Sequence, residues 1–335
     1  MPEKEKEEAP QFHGTPHQVF MKDPYFKRWY PTWIHNGMEN YQTIKKDFSK
    51  KNCCITSHPR PMNRPAIIIG SGPSLDEAAP LLKDWKHPIF SPTSALFSIL
   101  RWGRKPDYAC AFDSLWSLYE DFKFKKYSWE GTTLITHPNA EPKLLEAWKW
   151  NKYYFRRMFQ GHEFFELTFP MMFPWIKIGF RFTGCVVNNA VSIASFLGFS
   201  PIFLVGVDFG WKDKKNTKST TWEETKDGWV MQPNIPMSDT RKCIEYRNGT
   251  FTHPEYISFK RGLLGIINSE METDFVNCSN GLVDELAEAN IEEVIKNQGY
   301  GDYGIDKELQ RQKSIEFINI ESNKIIGGED ENNTI

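Results

Sequence analysis

The chain has 335 residues, 40% of them hydrophobic and 25% charged, with a formal net charge of −2. That is enough apolar matter for a sizeable α/β core, and nothing in the nearly balanced net charge argues for the basic footprint of a nucleic-acid binder. No apolar run reaches the length of a membrane span, the charged start Met1-Pro2-Glu3-Lys4 is not a signal peptide, and the six cysteines form no Cys-x-x-Cys pair, so a cytoplasmic, reducing setting is expected.

Residues 1–15 read as a disordered tail, and residues 16–63 as a helical or irregular N-terminal extension in which 37–48 has helical spacing. The β-branched run Ile67 to Ile69 then stops at Gly70, and Gly70-Ser71-Gly72-Pro73-Ser74 leads into an apolar-periodic segment, Leu75 to Trp85. This is the pattern of a strand, a tight turn and a helix start. Free N–H groups at such a turn suit a phosphate, although a glycine turn that serves only to reverse the chain reads the same way. A third glycine for the dinucleotide fingerprint and the Lys-Ser/Thr of a P-loop are both missing.

A second strand is expected over Pro88–Ser91, with Thr93 and Ser94 at its end, then a helix over Ala95–Trp102. A third strand, Asp107–Phe112, ends in Asp113, and a helix follows over Leu115–Phe122. In an open parallel sheet the carboxyl ends of strands line the ligand crevice. Thr93, Ser94 and Asp113 are therefore candidates for nucleoside or metal contacts, with helix capping as the alternative. The next strand, Thr132–Thr136, carries His137 at its end, a candidate acid or base, and Pro142–Trp150 follows as a helix. Tyr153–Met158 reads as one more strand, and the aromatic stretch from 159 to about 180 as an insertion suited to a lid or an acceptor site.

Thr183-Gly184 opens a helix containing Asn188, which runs into the buried strand Ile202–Val205 and then Gly206, Asp208 and Gly210. Thr183 and Gly184 form a second possible anion site, and Asp208 is expected to share the crevice with Asp113, where two carboxylates could hold a metal. Residues 212–252 read as a mobile polar loop whose Lys212, Lys214 and Lys215 could meet phosphate. A helix over Glu255–Ser269, a short strand over Phe275–Cys278 and a helix over Ile291–Ile295 close the core, and the chain is expected to fray beyond Gln310.

The order of these elements predicts a Rossmann-like α/β fold: an open, mostly parallel sheet with helices on both faces, spanning residues 64–305 with insertions at about 159–180 and 212–252, and a tail over 306–335.

Three motifs, Ile67 to Asp76, Arg104-Lys105-Pro106-Asp107-Tyr108 with Phe112-Asp113-Ser114, and Thr183-Gly184 through Asn188-Asn189-Ala190 to Val207-Asp208, resemble the MptE-like domain family in kind and order. That family includes archaeal 6-hydroxymethyl-dihydropterin diphosphokinases and bacterial motility accessory factors, which look like nonulosonic-acid glycosyltransferases. The resemblance implies that Gly70, Ser71, Gly72, Pro73 and Ser74 hold nucleotide phosphates. It also implies that Thr93, Ser94 and Asp113 line the nucleoside or metal side, and that Thr183, Gly184, Asn188 and Asp208 close the pocket.

The expected function is transfer from a bound nucleotide. One form moves a diphosphate from ATP to an acceptor hydroxyl, with Asp113 and Asp208 as catalytic groups and Mg²⁺ ligands. The alternative moves a sugar from a nucleotide-activated donor such as a CMP-sugar, with His137 or His162 as base. Across the two forms the acceptor is pterin-like, a glycan or a protein hydroxyl. A nucleotide-binding module without turnover is the remaining reading.

Overall fold

Eight parallel strands form the centre of the molecule, in the order β14-β13-β8-β1-β2-β3-β4-β5. The computed structural model describes residues 24–115, 117–124, 126–158, 164–181, 183–212, 222–226, 228–231, 244–247 and 249–327. In chain order the elements are helix α1 (Pro24–Lys50), β1 (Arg64–Ile69), α2 (Leu75–Ala78), β2 (Ile89–Pro92), α3 (Leu96–Leu100), β3 (Tyr108–Ala111), α4 (Ser117–Asp121), β4 (Thr133–Thr136), α5 (Pro142–Ala147) and β5 (Lys152–Tyr154). There follow β6 (Arg156–Met158), α6 (Phe169–Met172), β7 (Gly179–Arg181), α7 (Val186–Phe196), β8 (Phe199–Val205), β9 (Trp222–Thr225), β10 (Gly228–Met231), β11 (Ile244–Arg247) and β12 (Thr250–Thr252). The chain continues through α8 (Pro254–Ser269), β13 (Phe275–Asn277), β14 (Ala287–Glu288), α9 (Ile291–Lys296) and α10 (Lys307–Gly327).

The central strands are buried on both faces, which is why they read as unbroken apolar runs in the sequence. Alternation assigns their faces. Ala66 and Ile68 of β1 join Ile202 and Leu204 of β8 against Val187, Val191 and Ala194 of α7 and Leu263 of α8. Ile67, Ile69, Phe203 and Val205 pack on the opposite side with Leu75, Leu82, Trp85 and Val294.

A third, aromatic cluster covers the β4–β5 end of the sheet and joins α1 to the segment after β6, through Trp33, Trp148, Phe165, Phe169 and Phe173. Phe48 of α1 stacks on Trp175 at 5.9 Å, and Tyr41 lies 5.9 Å from Phe173. The insertion over 159–180, expected as a lid or an acceptor site, sends Phe165, Phe169 and Phe173 of its described part into this cluster, because burying such rings against α1 is favourable.

Several local expectations change for identifiable reasons. The helix expected over 75–85 is split into α2 and a 3₁₀ turn at Leu81–Asp84, because Pro80 has no N–H to continue the ladder. Tyr153–Met158 is two strands in different sheets, since β6 leaves the main sheet and pairs with β7. The polar loop over 212–252 contains two antiparallel hairpins, β9–β10 and β11–β12, with Trp211 bridging Phe251.

Beyond Gln310 the chain continues as α10 to Gly327. Gln310, Ser314, Phe317 and Glu321 are buried, a spacing that lays one helical face on the body. Its polar composition is what reads as a fraying tail. Among the described residues no helix is long and apolar enough to cross a membrane.

Candidate functional site

Strands β2 to β5 extend the sheet from one side of β1, and β8, β13 and β14 from the other, so the topology switches between β1 and β8. Open α/β sheets bind ligands outside the carboxyl ends of their strands at such a point. The turns Gly70–Ser74 and Gly206–Asp208 both emerge there, and the structure brings them into direct contact.

The contact is between backbones. Gly72 N–H donates to Gly206 O at 2.8 Å, and Gly70 N–H to Val205 O at 2.8 Å. A Cβ on Gly70 would strike Gly206 O, with the Gly206 carbonyl carbon at 2.8 Å. One on Gly72 would strike the Asp208 carboxylate and lie 2.7 Å from Gly206 O. The missing Cβ atoms thus admit the neighbouring turn.

The amide cradle is corrected for the same reason. Gly72 N–H is spent on Gly206, Ser74 N–H donates to Asp208 Oδ2 at 2.8 Å, and Pro73 has none. Ser71 N–H is the amide of this turn left without a protein acceptor among the described residues. Helix α2 is four residues long and adds no useful dipole. Ser71 to Ser74 are nonetheless half-exposed and rim the crevice.

Asp208 is 4% exposed and takes a second bond from Ser74 Oγ at 2.6 Å. Burial pushes its carboxyl above the ordinary range; Ser74 pulls it back, Glu77 nearby raises it, and the Asn280 amide lowers it. Gly281 lies against the Asp208 backbone, where any Cβ would collide, and Leu282 N–H donates to Asp208 O at 2.8 Å. With both carboxylate oxygens occupied, Asp208 pins the β1, β8 and β13 turns together and is a poor fit for a metal.

Asp113 is different. It is exposed at the end of β3, and one carboxylate oxygen accepts from Ser114 N–H at 2.7 Å. Its acidic neighbour is Asp121 at the end of α4, whose carboxyl is raised by burial, lowered by a hydrogen bond from Thr93 and raised again by the Asp113 charge. The two expected metal carboxylates therefore belong to separate groups, Asp113 with Asp121 and Thr93, and Asp208 with Ser74 and Glu77.

Asp113 and Asp121 feel each other's charge, and Mg²⁺ takes one or two carboxylates while keeping waters and substrate oxygens, so these are the carboxylates of the rim suited to it. Among the described residues there is no group of three or more His, Cys, Asp or Glu placed to hold a metal. Sequence reasoning missed Asp121, because the end of a short helix carries no strand-end signal. Ser94 is exposed beside Thr93.

Helix α1 fixes this rim. Asn36 Nδ2 donates to Ser114 O at 3.0 Å and Asn139 O at 3.1 Å, and Asn40 Nδ2 donates to Pro138 O and Ala140 O, both at 2.8 Å. These buried amides, one turn apart, clasp the loops after β3 and β4. His137 is fully buried in the second loop, where Nδ1 accepts from Asn139 N–H at 3.1 Å and Nε2 faces Phe112 O at 2.9 Å. The acceptor at Nε2 requires the proton there, so neither nitrogen is free to take one. Burial, with Arg157 adding to it, drops its pKa well below the ordinary value, which removes His137 as a base. His162, Lys214 and Lys215 lie outside the described residues, and Lys212 is exposed.

Thr183, Gly184 and Asn188 sit at the start of α7 and fasten it to α8. Asn188 Nδ2 donates to Phe259 O at 2.9 Å and Thr183 O at 3.3 Å. Gly184 has φ +80°, and a Cβ there would lie 2.6 Å from the Phe259 ring. Thr183 Oγ1 and Asn188 Oδ1 are buried without a partner among the described residues. On the β13 side of Ser74 a cavity of about 350 Å³ opens between Glu77, Asn280, Glu288 and Asn290.

No curated protein matches the chain. Among solved structures it is similar to the MAf glycosyltransferase from Magnetospirillum magneticum AMB-1, with 18% identity and a TM-score of 0.51 over 79% of this chain. The likeness, which is one of fold, takes in 38% of that protein's chain, so the present chain spans well under half of its length. The family model described as 6-hydroxymethylpterin diphosphokinase MptE-like matches residues 35–214, a stretch that runs from α1 through β8 and contains both turns of the crevice together with Asp113. By that match, over more than half its length, the chain belongs to the MptE-like family.

Proposed function

We propose that the protein is a transferase that moves a diphosphate from a bound nucleotide to an acceptor hydroxyl. The observation that carries the reading is that the family match over 35–214 includes every residue placed at the carboxyl edge of β1, β3 and β8. In the reaction the acceptor oxygen attacks the β-phosphorus of ATP, the bond from that phosphorus to the α,β-bridging oxygen breaks, and AMP leaves. The acceptor proton goes to a carboxylate or to water.

Asp113 is the group suited to this task, being open to solvent and held in place by Ser114 and, through its loop, by Asn36. Asp113 and Asp121 are the residues that would hold Mg²⁺, which neutralises phosphate charge in such transfers. Ser71, whose N–H has no protein acceptor among the described residues, is the residue of the β1 turn left to meet the donor, and the cavity beside Ser74 is large enough for a ribose, whose hydroxyls can donate to Glu77 and Glu288.

The likeness to a glycosyltransferase fold favours a second reading, sugar transfer from a CMP-sugar. Calorimetric titration with ATP, CMP and a CMP-sugar, each with and without Mg²⁺, separates the two. ATP binding that requires Mg²⁺, with AMP released on adding a pterin alcohol, supports diphosphate transfer. Metal-independent binding of CMP replaces it with glycosyl transfer, and failure of all three nucleotides to bind overturns both.

A further inference from the structure

At the amino ends of β4 and β5, the edge of the sheet opposite the crevice, lies a cavity of about 740 Å³. Its walls are the last turns of α1, the turn before β4, and the segment from α5 into β5. The volume falls in the range of small-molecule sites.

The floor is built and rigid. Lys152 is 7% exposed, and its ammonium donates to Leu145 O at 2.9 Å and pairs with Asp47 at 2.6 Å. Asp47 also accepts from Tyr154 OH at 2.8 Å, so its charge is consumed. The rim is cationic. Lys46, Lys50, Lys51 and Lys149 are exposed around the opening, and only Glu130 and Glu146 oppose them, an excess of two positive charges on a chain whose net charge is −2. Lys51 is steadied by Asn151 Oδ1 at 2.7 Å, whereas Lys46, Lys50 and Lys149 have no ion pair among the described residues. Trp150 forms part of the wall, an aromatic surface beside the cations.

We propose that this cavity is a second binding site, for a small phosphorylated molecule such as a nucleoside or sugar monophosphate. A phosphate monoester carries a charge of about −1.5 to −2 at neutral pH, which matches the excess on the rim. Lysines receive phosphate as mobile point charges, and a ring or sugar can lie on Trp150. The concave shape and confined charge suit a small molecule rather than a polyanion, which needs an extended basic stripe. The site is independent of the proposed activity, because it shares no residue with the carboxyl edge.

The test is calorimetric titration of the full chain with AMP and with glucose 6-phosphate at low and high salt, in the wild type and in Lys50→Glu/Lys149→Glu. Both substituted residues are exposed, so the variant is expected to fold, as a thermal unfolding curve will verify, and Lys50→Gln/Lys149→Gln provides a milder alternative. The expected result is binding of at least one ligand that weakens with salt and falls about tenfold or more in the charge-reversed variant. Absence of binding by both ligands, or an affinity unchanged in the folded variants, overturns the proposal. Titrating Asp113→Asn in parallel keeps the outcome separate from the crevice: this site predicts unchanged affinity there.

Discussion

Ser74 holds Asp208 with two bonds, its hydroxyl donating to Oδ1 at 2.6 Å and its N–H to Oδ2 at 2.8 Å, across 134 positions of sequence. One residue of the β1 turn thereby satisfies a buried carboxylate of the β8 turn. Asp208→Asn turns one acceptor into a donor facing Ser74, and an unmet buried donor costs about 1–3 kcal/mol. The expected result is a lower urea midpoint with an unchanged slope, and a double-mutant cycle with Ser74→Ala that shows strong coupling.

Gly70→Ala and Gly72→Ala are both expected to destabilise the fold. The first places a methyl against the Gly206 carbonyl, and the second against that same oxygen and the clamped Asp208 carboxylate. Overpacking of this kind costs about 1–3 kcal/mol. Urea denaturation of both variants reads the loss. Equal stability of Gly70→Ala and wild type would mean that the two turns are not in contact.

Asp121 gives a pH signature. Its folded pKa lies above the ordinary carboxylate value because of burial and then Asp113, so its favourable contribution is present at acid pH and is lost as pH rises through the folded value. Asp121→Asn keeps an acceptor for the Thr93 hydroxyl and removes the charge. Its stability relative to wild type should therefore improve as pH rises from about 3.5 towards neutrality. Asp113→Asn should lower the Asp121 pKa, a change that carbon-detected NMR titration of the carboxyl will read.

Lys260 is 1% exposed and sits 2.7 Å from Glu285, 3.4 Å from Asp284 and 3.9 Å above the Phe317 ring. It connects α8, the loop before β14, and α10. Lys260→Met leaves Glu285 buried with its main counter-ion gone, at a cost of about 3–5 kcal/mol. Lys260→Met/Glu285→Leu should recover most of that loss. Amide exchange is expected to rise first in α10.

Much of the frame was legible because buried parallel strands advertise themselves: Ile67–Ile69 and Ile202–Val205 are apolar runs with turn residues at their ends. What eluded the sequence reading has physical causes. The buried face of α10 is Gln310, Ser314 and Glu321 around one Phe, so no apolar period marks it. The hairpins did carry signals, Asp227-Gly228 and Asn248-Gly249, which a polar setting concealed.

At the site, strand-end position located Asp113 and Asp208. What position could not tell was that one carboxylate is open and the other clamped, since that depends on partners far away in sequence. The same applies to the glycines, whose spacing was visible while their neighbour was not.

The clasp by Asn36 and Asn40 has a further consequence. Because Asp113's loop is held from α1 as well as from the sheet, a chain shortened to begin at Lys51 would keep all eight core strands yet lose the fastening of the β3 and β4 loops, and would bare Phe165, Phe169 and Phe173. Amino-terminal trimming would then loosen the rim around Asp113 and lower solubility together, which places the start of the indivisible unit upstream of the first strand.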